Sequence, residues 1–146
     1  MGDSPIASDN VGGRDSPPES SFDKDLGIYV LESSRGKARL RMPIQPKHLQ
    51  SAGYVQGGII VVLADSAFFW ALKPMLAPGE TCATIELKVN FVAPAKEGDL
   101  IGEARILSKG RRIVVGEMDV VTADGTLIAK GLGTFFLDTG ERGRDR

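Results

Sequence analysis

An apolar stretch of sixteen residues, from Gly57 to Leu72, constrains the fold of this chain more than any other feature. Its length favours a helix, although the β-branched run Ile59–Val62 alone would suit a strand. Pro74 ends the helix, because proline disfavours helical geometry in the residue before it. Apolar residues occur on every face, so we predict a helix that is buried all round. At sixteen residues it is too short to span a membrane.

Asp65 lies in the middle of this apolar helix, where a charge is costly to bury. One interpretation is a structural aspartate that bonds a neighbouring loop. The other is a carboxylate held in a dry site for chemistry. The helix start favours the second, because Gly57 and Gly58 allow another molecule to come close. The first N–H groups of a helix are unpaired donors, which can hold an oxyanion.

Gly57 and Asp65 cannot both contact one reacting carbon within a single helix. Eight positions separate them in the chain, which corresponds to about 12 Å along the helix axis. The tilt of side chains toward the N-terminus recovers only ~2–3 Å. Either the two groups are unrelated, or a second copy of the helix supplies one of them. A two-fold dimer would provide this arrangement twice.

The segments on both sides of the helix alternate like strands and are separated by turn residues. Short turns force neighbouring strands to be antiparallel. We therefore predict an α+β domain in which an antiparallel sheet of about six strands wraps around one long central helix. The predicted strands are Leu26–Glu32, Lys37–Met42, Thr84–Val92, Leu100–Leu107, Ile113–Val121 and Thr126–Leu137.

Thr84–Val92 gives the clearest strand signal in the chain. Its apolar residues alternate strictly with polar ones, which predicts one apolar and one polar face. The apolar face consists of Ile85, Leu87, Val89 and Phe91, and the polar face of Thr84, Glu86, Lys88 and Asn90. Just before this strand, Cys82 is interpreted as a half-buried strand residue and not as a nucleophile.

Length and composition predict one domain, residues 22–138, between a disordered tail at 1–21 and a charged tail at 139–146. A net charge of −1 makes nucleic acid an unexpected partner. The single cysteine excludes internal disulfides and fits a reducing compartment. The acidic, polar N-terminus lacks a secretory or myristoylation signal. We expect a cytoplasmic protein that does not associate with membranes.

Other kinds of site find little support. One cysteine and one histidine without ligand spacing predict no metal site. His48 follows Pro46 in a loop without a nucleophile elbow, so we interpret it as a solvated loop residue and not as part of a triad. The turn containing Lys109, Arg111 and Arg112 is either solvated or a clamp for phosphate, whose oxygens match arginine forks.

The segment His48–Gly58, followed by Leu63–Asp65, resembles the signature of hotdog-fold acyl-CoA thioesterases, most closely the phenylacetyl-CoA thioesterase-like branch. The resemblance covers roughly residues 26–137 and includes Asn90–Ala95 and Lys109–Arg112. It implies a hotdog fold that hydrolyses an acyl- or aryl-CoA to the free acid and coenzyme A. It implies no cofactor beyond the coenzyme A of the substrate, and a homodimer or dimer of dimers.

The resemblance also implies roles for individual residues. Asp65 matches the catalytic carboxylate, either general base or nucleophile, and Gly57 the backbone N–H that polarises the thioester carbonyl. Gln50 matches an amide that orients the carbonyl or the water. In the family the carboxylate comes from the opposite subunit. Residues expected to contact substrate are Gln56, Gly58, Phe69, Ala83, Gly110, Arg111 and Arg112.

The sequence departs from the family pattern in two ways. Gln56 stands where the family usually has histidine, and it cannot carry a proton reversibly. Ala83 and Phe69 stand where the branch often has serine or threonine, so water positioning is expected to rest on Gln50 or Gln56. The runner-up function is a non-catalytic acyl-CoA or small-ligand binding protein. A hotdog dehydratase ranks third, because it would need a catalytic histidine.

Overall fold

The computed structural model describes residues 20–140 of the chain, which form two helices and six strands. The strands make one antiparallel sheet in the order β1-β2-β4-β5-β6-β3, which confirms the predicted α+β architecture. The elements are α1 (Ser21–Leu26), β1 (Tyr29–Ser34), β2 (Lys37–Pro43), α2 (Gly57–Leu72), β3 (Thr81–Phe91), β4 (Asp99–Lys109), β5 (Ile113–Thr122) and β6 (Leu127–Asp138), with 3-10 turns at Pro46–His48 and Lys73–Met75.

Glycines in the sheet allow α2 to pack closely on β4, β5 and β6. A Cβ atom at Gly116 would lie 2.6 Å from the Phe68 ring, and one at Gly102 would lie 2.9 Å from Leu63 Cγ. Phe68 is fully buried, and its ring stacks on that of Phe135 with 4.1 Å between centroids. Larger side chains at these glycines would push the helix off the sheet, since a packed core gives way only at a cost in stability.

One face of α2 stays partly open, so the prediction of a helix buried all round is wrong for the single chain. Val62, Asp65 and Phe69 are only half-buried on this face, and Gly58 is exposed. The reason is that β3 lies at the edge of the sheet and leaves this side of the helix uncovered. With its 3-10 turn the helix runs 19 residues, Gly57–Met75, so the prediction that it is too short to span a membrane is wrong by length and composition alone. Its packing against the sheet is that of a core helix.

The chain enters the sheet through a short helix that the sequence analysis did not predict. Ser20 Oγ accepts from the Asp23 N–H (3.4 Å), and Gly27, at φ +75°, closes the C-terminus of α1. Leu26 is therefore helical, and the first strand begins at Tyr29. Ser20 and Ser21, which the sequence analysis placed in the tail, cap and open this helix. The remaining residues of the predicted tails, 1–19 and 141–146, lie outside the described residues.

A bulge interrupts β3 at Ile85. Thr84 pairs with Phe135 and Glu86 with Thr134, so Ile85 has no partner on β6. An extra residue reverses which side chains face the helix. Ile85 is consequently 58% exposed, and the prediction that it shares an apolar face with Leu87, Val89 and Phe91 is wrong. Upstream of the bulge, Thr84 leaves the predicted polar face and turns its side chain toward the helix.

Candidate active site

The loop that leads into α2 is held by backbone hydrogen bonds around Gln50. The Gln50 N–H donates to Tyr54 O (2.7 Å), and the Gly53 N–H donates to Gln50 O (2.9 Å). The Gln50 side-chain oxygen accepts from the Ala52 N–H. Gln50 and Gly57 line the same surface cleft of about 360 Å³. The structure therefore brings two of the predicted catalytic residues together at the start of the helix.

Gly57 opens the first turn of α2 beneath an aromatic ring. The Ile59 N–H donates to Gln56 O (3.0 Å) and is the first in the helix with an acceptor of this kind. The N–H groups of Gly57 and Gly58, which precede it, have no acceptor within the helix. A Cβ atom at Gly57 would lie 3.1 Å from Phe91 Cζ, and one at Gly58 would meet nothing within 4 Å. Gln56 is exposed, and its side chain caps nothing. The turn presents backbone donors at an accessible cleft.

His48 is a buried structural residue, so its interpretation as a solvated loop residue is wrong. It is 0% exposed. Its Nδ1 accepts from the Gln45 N–H (3.0 Å), and its Nε2 donates to Leu26 O (2.9 Å). Burial lowers the pKa of His48, which keeps the ring neutral, as these two bonds require. His48 O also accepts from the Gln56 N–H (2.8 Å), so His48 fastens α1 to the start of α2.

Asp65 lies half-buried in a second pocket, of about 300 Å³, that is separate from the Gln50–Gly57 cleft. The Thr84 hydroxyl donates to its Oδ1 at 2.8 Å. Burial raises the pKa of Asp65, the Thr84 bond opposes this rise, and the nearby charge of Asp23 adds to it. The carboxylate is thus a stronger base than an exposed aspartate and is oriented by one hydroxyl.

Thr84 is a residue that the sequence analysis missed. In related proteins a serine or threonine beside the carboxylate is expected at the positions that Ala83 and Phe69 occupy here. Phe69 lines the pocket of Asp65, whereas Ala83 is exposed and is absent from its lining. The hydroxyl comes from the next residue along β3, because the bulge at Ile85 turns Thr84 inward.

Two further titratable groups line the pocket of Asp65. Asp23, from α1, accepts from Ser66 Oγ at 3.0 Å, and burial raises its pKa. Cys82 is half-buried, as predicted, and burial raises the pKa of its thiol, with Asp65 and Glu80 adding to the rise. A thiol that keeps its proton is a poor nucleophile. The sequence analysis did not identify Asp23, because it placed the capping residue Ser20 in a tail and did not predict α1.

The basic turn between β4 and β5 lies at the same end of the sheet as Thr84. Ile113, which follows the turn, pairs with Phe136, and Phe136 pairs in turn with Ala83. The Gly110 N–H donates to Ile113 O (2.8 Å) and closes the turn. Arg111 is exposed and Arg112 half-buried. The structure thus gathers Asp65, Phe69 and Thr84 in one pocket near this turn, and Gln50 and Gly57 in another cleft.

A six-stranded antiparallel sheet around one long helix is the hotdog fold. The family model described as "Thioesterase superfamily" matches residues 52–129, and this chain belongs to that superfamily. It is a thioester hydrolase, in keeping with relatives whose names include thioesterase, esterase and CoA hydrolase.

Two curated relatives and two solved structures illustrate the likeness. A protein of Halobacterium salinarum with a provisional esterase name is 37% identical over 121 residues, covering 75% of this chain and 80% of the relative. Human acyl-coenzyme A thioesterase 13 is 29% identical over 119 residues, covering 78% and 83%. A conserved protein of Pseudomonas aeruginosa superimposes with a TM-score of 0.78 at 28% identity, covering 82% and 94%. A variant of the phenylacetic acid degradation protein PaaI from Thermus thermophilus gives 0.74 at 27%, covering 80% and 98%.

Proposed function

We propose that this protein hydrolyses acyl-CoA thioesters to the free acid and coenzyme A, with Asp65 as the catalytic carboxylate. One observation carries this proposal: a half-buried aspartate bonded to the Thr84 hydroxyl in a pocket that the rings of Phe69 and Phe135 also line. The name of the human relative, an acyl-coenzyme A thioesterase, supports the substrate class.

In the proposed reaction the thioester carbonyl accepts a hydrogen bond from the Gly57 N–H at the positive end of α2. As general base, Asp65 takes a proton from water while the oxygen attacks the carbonyl carbon. The tetrahedral intermediate collapses, the carbon–sulfur bond breaks, and the thiolate receives the proton from Asp65. As nucleophile, Asp65 would instead form an anhydride that water then opens. Gln50 orients the carbonyl or the water.

The edge strand β3 supports a homodimer in which the two pockets form one site. Phe91, near the end of β3, covers Gly57, whereas Thr84, near its start, holds Asp65. If two copies pair antiparallel through β3 about an axis near Leu87, Phe91 and Gly57 of one subunit lie opposite Thr84 and Asp65 of the other. Such pairing also covers an open sheet edge, where Ile85, Phe91 and Val92 are each more than half exposed.

The same pairing leaves the basic turn free to meet the coenzyme. Arg111 and Arg112 lie at the end of the sheet nearest Thr84, where the phosphates of a bound coenzyme A could contact them. Arginine forks match phosphate oxygens, and their charge would hold the substrate without taking part in bond breaking. We also propose a cytoplasmic location and allow for a dimer of dimers, whose size native mass spectrometry would report.

The test combines a substrate screen with mixed dimers. Short, medium, long and aryl acyl-CoAs are first compared for hydrolysis. Asp65→Ala and Gln50→Ala chains, each impaired alone, are then refolded together. A mixed dimer has one site with both lesions and one with neither. Random pairing makes about half of the dimers mixed, so activity should recover to roughly a quarter of wild type by two-fold symmetry.

Two results would contradict the proposal. Absence of hydrolysis across all four acyl classes would remove acyl-CoA as the substrate class. Activity that stays at the mean of the two variants, with mixed dimers confirmed by native mass spectrometry, would show that Gln50 and Asp65 do not work across an interface.

A further inference from the structure

Asp23 lies on the short helix α1, and only 7% of it is exposed. The other polar side chains of this helix face solvent. Asp25, two positions along, is exposed, and Phe22 is 57% exposed. The helix therefore turns a carboxylate inward and leaves an aromatic ring outside. Burying a charged group is costly unless it is paired and hydrogen-bonded. The inward position of Asp23 thus calls for a reason beyond packing.

Ser66 fixes Asp23 beside the proposed catalytic residue. Ser66 directly follows Asp65 in α2, and its hydroxyl donates to Asp23 Oδ1 at 3.0 Å. Asp23 and Asp65 line the same pocket of about 300 Å³. Two carboxylates confined in one small pocket repel each other when both are ionised, so each makes the other hold its proton more firmly.

The other groups facing Asp65 do not offset this repulsion. From β3, Cys82 faces the pocket with a thiol whose raised pKa keeps it neutral, and Glu80 acts on that thiol with a negative charge. Phe69 from α2 and Phe135 from β6 carry no charge. Along the described part of the chain, the pocket lining includes no lysine or arginine. Among the described residues of the pocket, no cation therefore neutralises the effect of the Asp23 charge on Asp65.

We propose that Asp23 is a positioning residue of this hydrolase: its charge, held by Ser66 in the pocket of Asp65, makes the Asp65 carboxylate a stronger base. This inference rests on the proposed function of Asp65. The pKa of Asp65 supports the direction, since burial raises it first and the charge of Asp23 raises it further, against the Thr84 bond. A stronger base abstracts a proton from water more readily near neutral pH.

The test is the pH dependence of kcat/KM in Asp23→Asn. Asparagine keeps an oxygen that can accept from Ser66 and removes the charge. Asp65 should then release its proton more easily, so the acidic limb of the profile should move to lower pH and the plateau should fall. A purely structural role would lower activity at every pH and leave the limb in place.

Asp25→Asn is the matched control, because it removes the same charge from the same helix outside the pocket. Its acidic limb should coincide with that of wild type. The inference is overturned if Asp23→Asn folds and its limb shifts no more than that of Asp25→Asn. If Asp23→Asn fails to fold, Asp23→Ser replaces it and is held to the same criterion.

A measurement on the wild-type chain needs no variant. Carbon NMR of the protein labelled at aspartate carboxyls should show the Asp65 signal responding to the titration of Asp23 as well as to its own. A single step at Asp65, unrelated to that of Asp23, overturns the inference.

If Asp65→Asn keeps its activity, the proposed function itself fails. If Asp65→Asn is inactive and the Asp23→Asn limb does not move, only the role of Asp23 fails.

Discussion

The first turn and the middle of α2 present the two halves of the proposed site in opposite ways. The first turn offers backbone N–H groups at an open cleft lined by Gln50 and Phe91. Among the described residues, no charged side chain lines this cleft. The middle offers a charged side chain in a half-buried pocket, tuned by Thr84 and Asp23. Donors fixed by a helix need no tuning, whereas the strength of a carboxylate depends on everything around it. The comparison predicts that substitutions in the middle of α2 will lower activity more than substitutions in its first turn. They should also change the pH dependence of activity more.

Asp65→Asn should have the largest effect. We expect turnover to fall by ~10²–10⁴-fold, the usual contribution of a general base. Burial raises the pKa of Asp65 above its ordinary value of 3.8. The folded state then binds a proton more firmly than the unfolded state, so this group costs stability as pH rises from about 4 through its folded pKa. At neutral pH the asparagine should leave the melting temperature unchanged or higher.

Activity and melting temperature of Asp65→Asn should be measured on the same preparation. A folded variant with near wild-type activity would break the comparison, since the middle of the helix would then carry no chemistry. A clear fall in melting temperature would instead indicate a structural aspartate.

Thr84→Val should have an intermediate effect and a definite sign. The hydroxyl favours the ionised form of Asp65. Without it the pKa of Asp65 rises, so the acidic limb of kcat/KM should move to higher pH, opposite to the shift expected of Asp23→Asn. Thr84→Ser keeps the donor and should restore the wild-type limb. If Thr84→Val and Thr84→Ser share one pH profile, the bond at 2.8 Å does not tune the carboxylate.

These two halves of the site also differ in how far the sequence predicts them. The helix at Gly57–Leu72 has the predicted bounds, because an apolar run between a glycine pair and a proline is a local signal. Asp65 stands out for the same reason, as the charge within that run. The six strands were also predicted from a local signal, the alternation of apolar and polar residues. Four of them have bounds within two residues of those predicted.

Thr84 could not be predicted, because its direction depends on the bulge at Ile85, and the bulge reflects pairing with β6, far along the chain. The unbroken alternation of residues 84–92 suggested a regular strand. The half-open face of α2 was likewise hidden, since it depends on which strand forms the edge. Asp23 is different: a serine cap at Ser20 and an acidic residue three positions later are a recognisable helix start. That signal was present in the sequence, but the predicted boundary at residue 22 put its serine in the tail and its aspartate in the domain, so the helix start was not predicted.

The smallest effect is expected at the basic turn, which belongs to neither half of the site. Replacing Arg111 and Arg112 together with alanine should raise KM and leave kcat nearly unchanged, because contacts to coenzyme phosphates are equal in ground and transition states. The rise in KM should shrink in high salt, which screens exposed charges. Arg35→Ala is the control: it removes an exposed arginine from the turn between β1 and β2, on the far side of the sheet from β3, which holds Thr84. If the double variant and Arg35→Ala have the same KM at low salt, Arg111 and Arg112 do not contact the coenzyme and belong to a solvated turn.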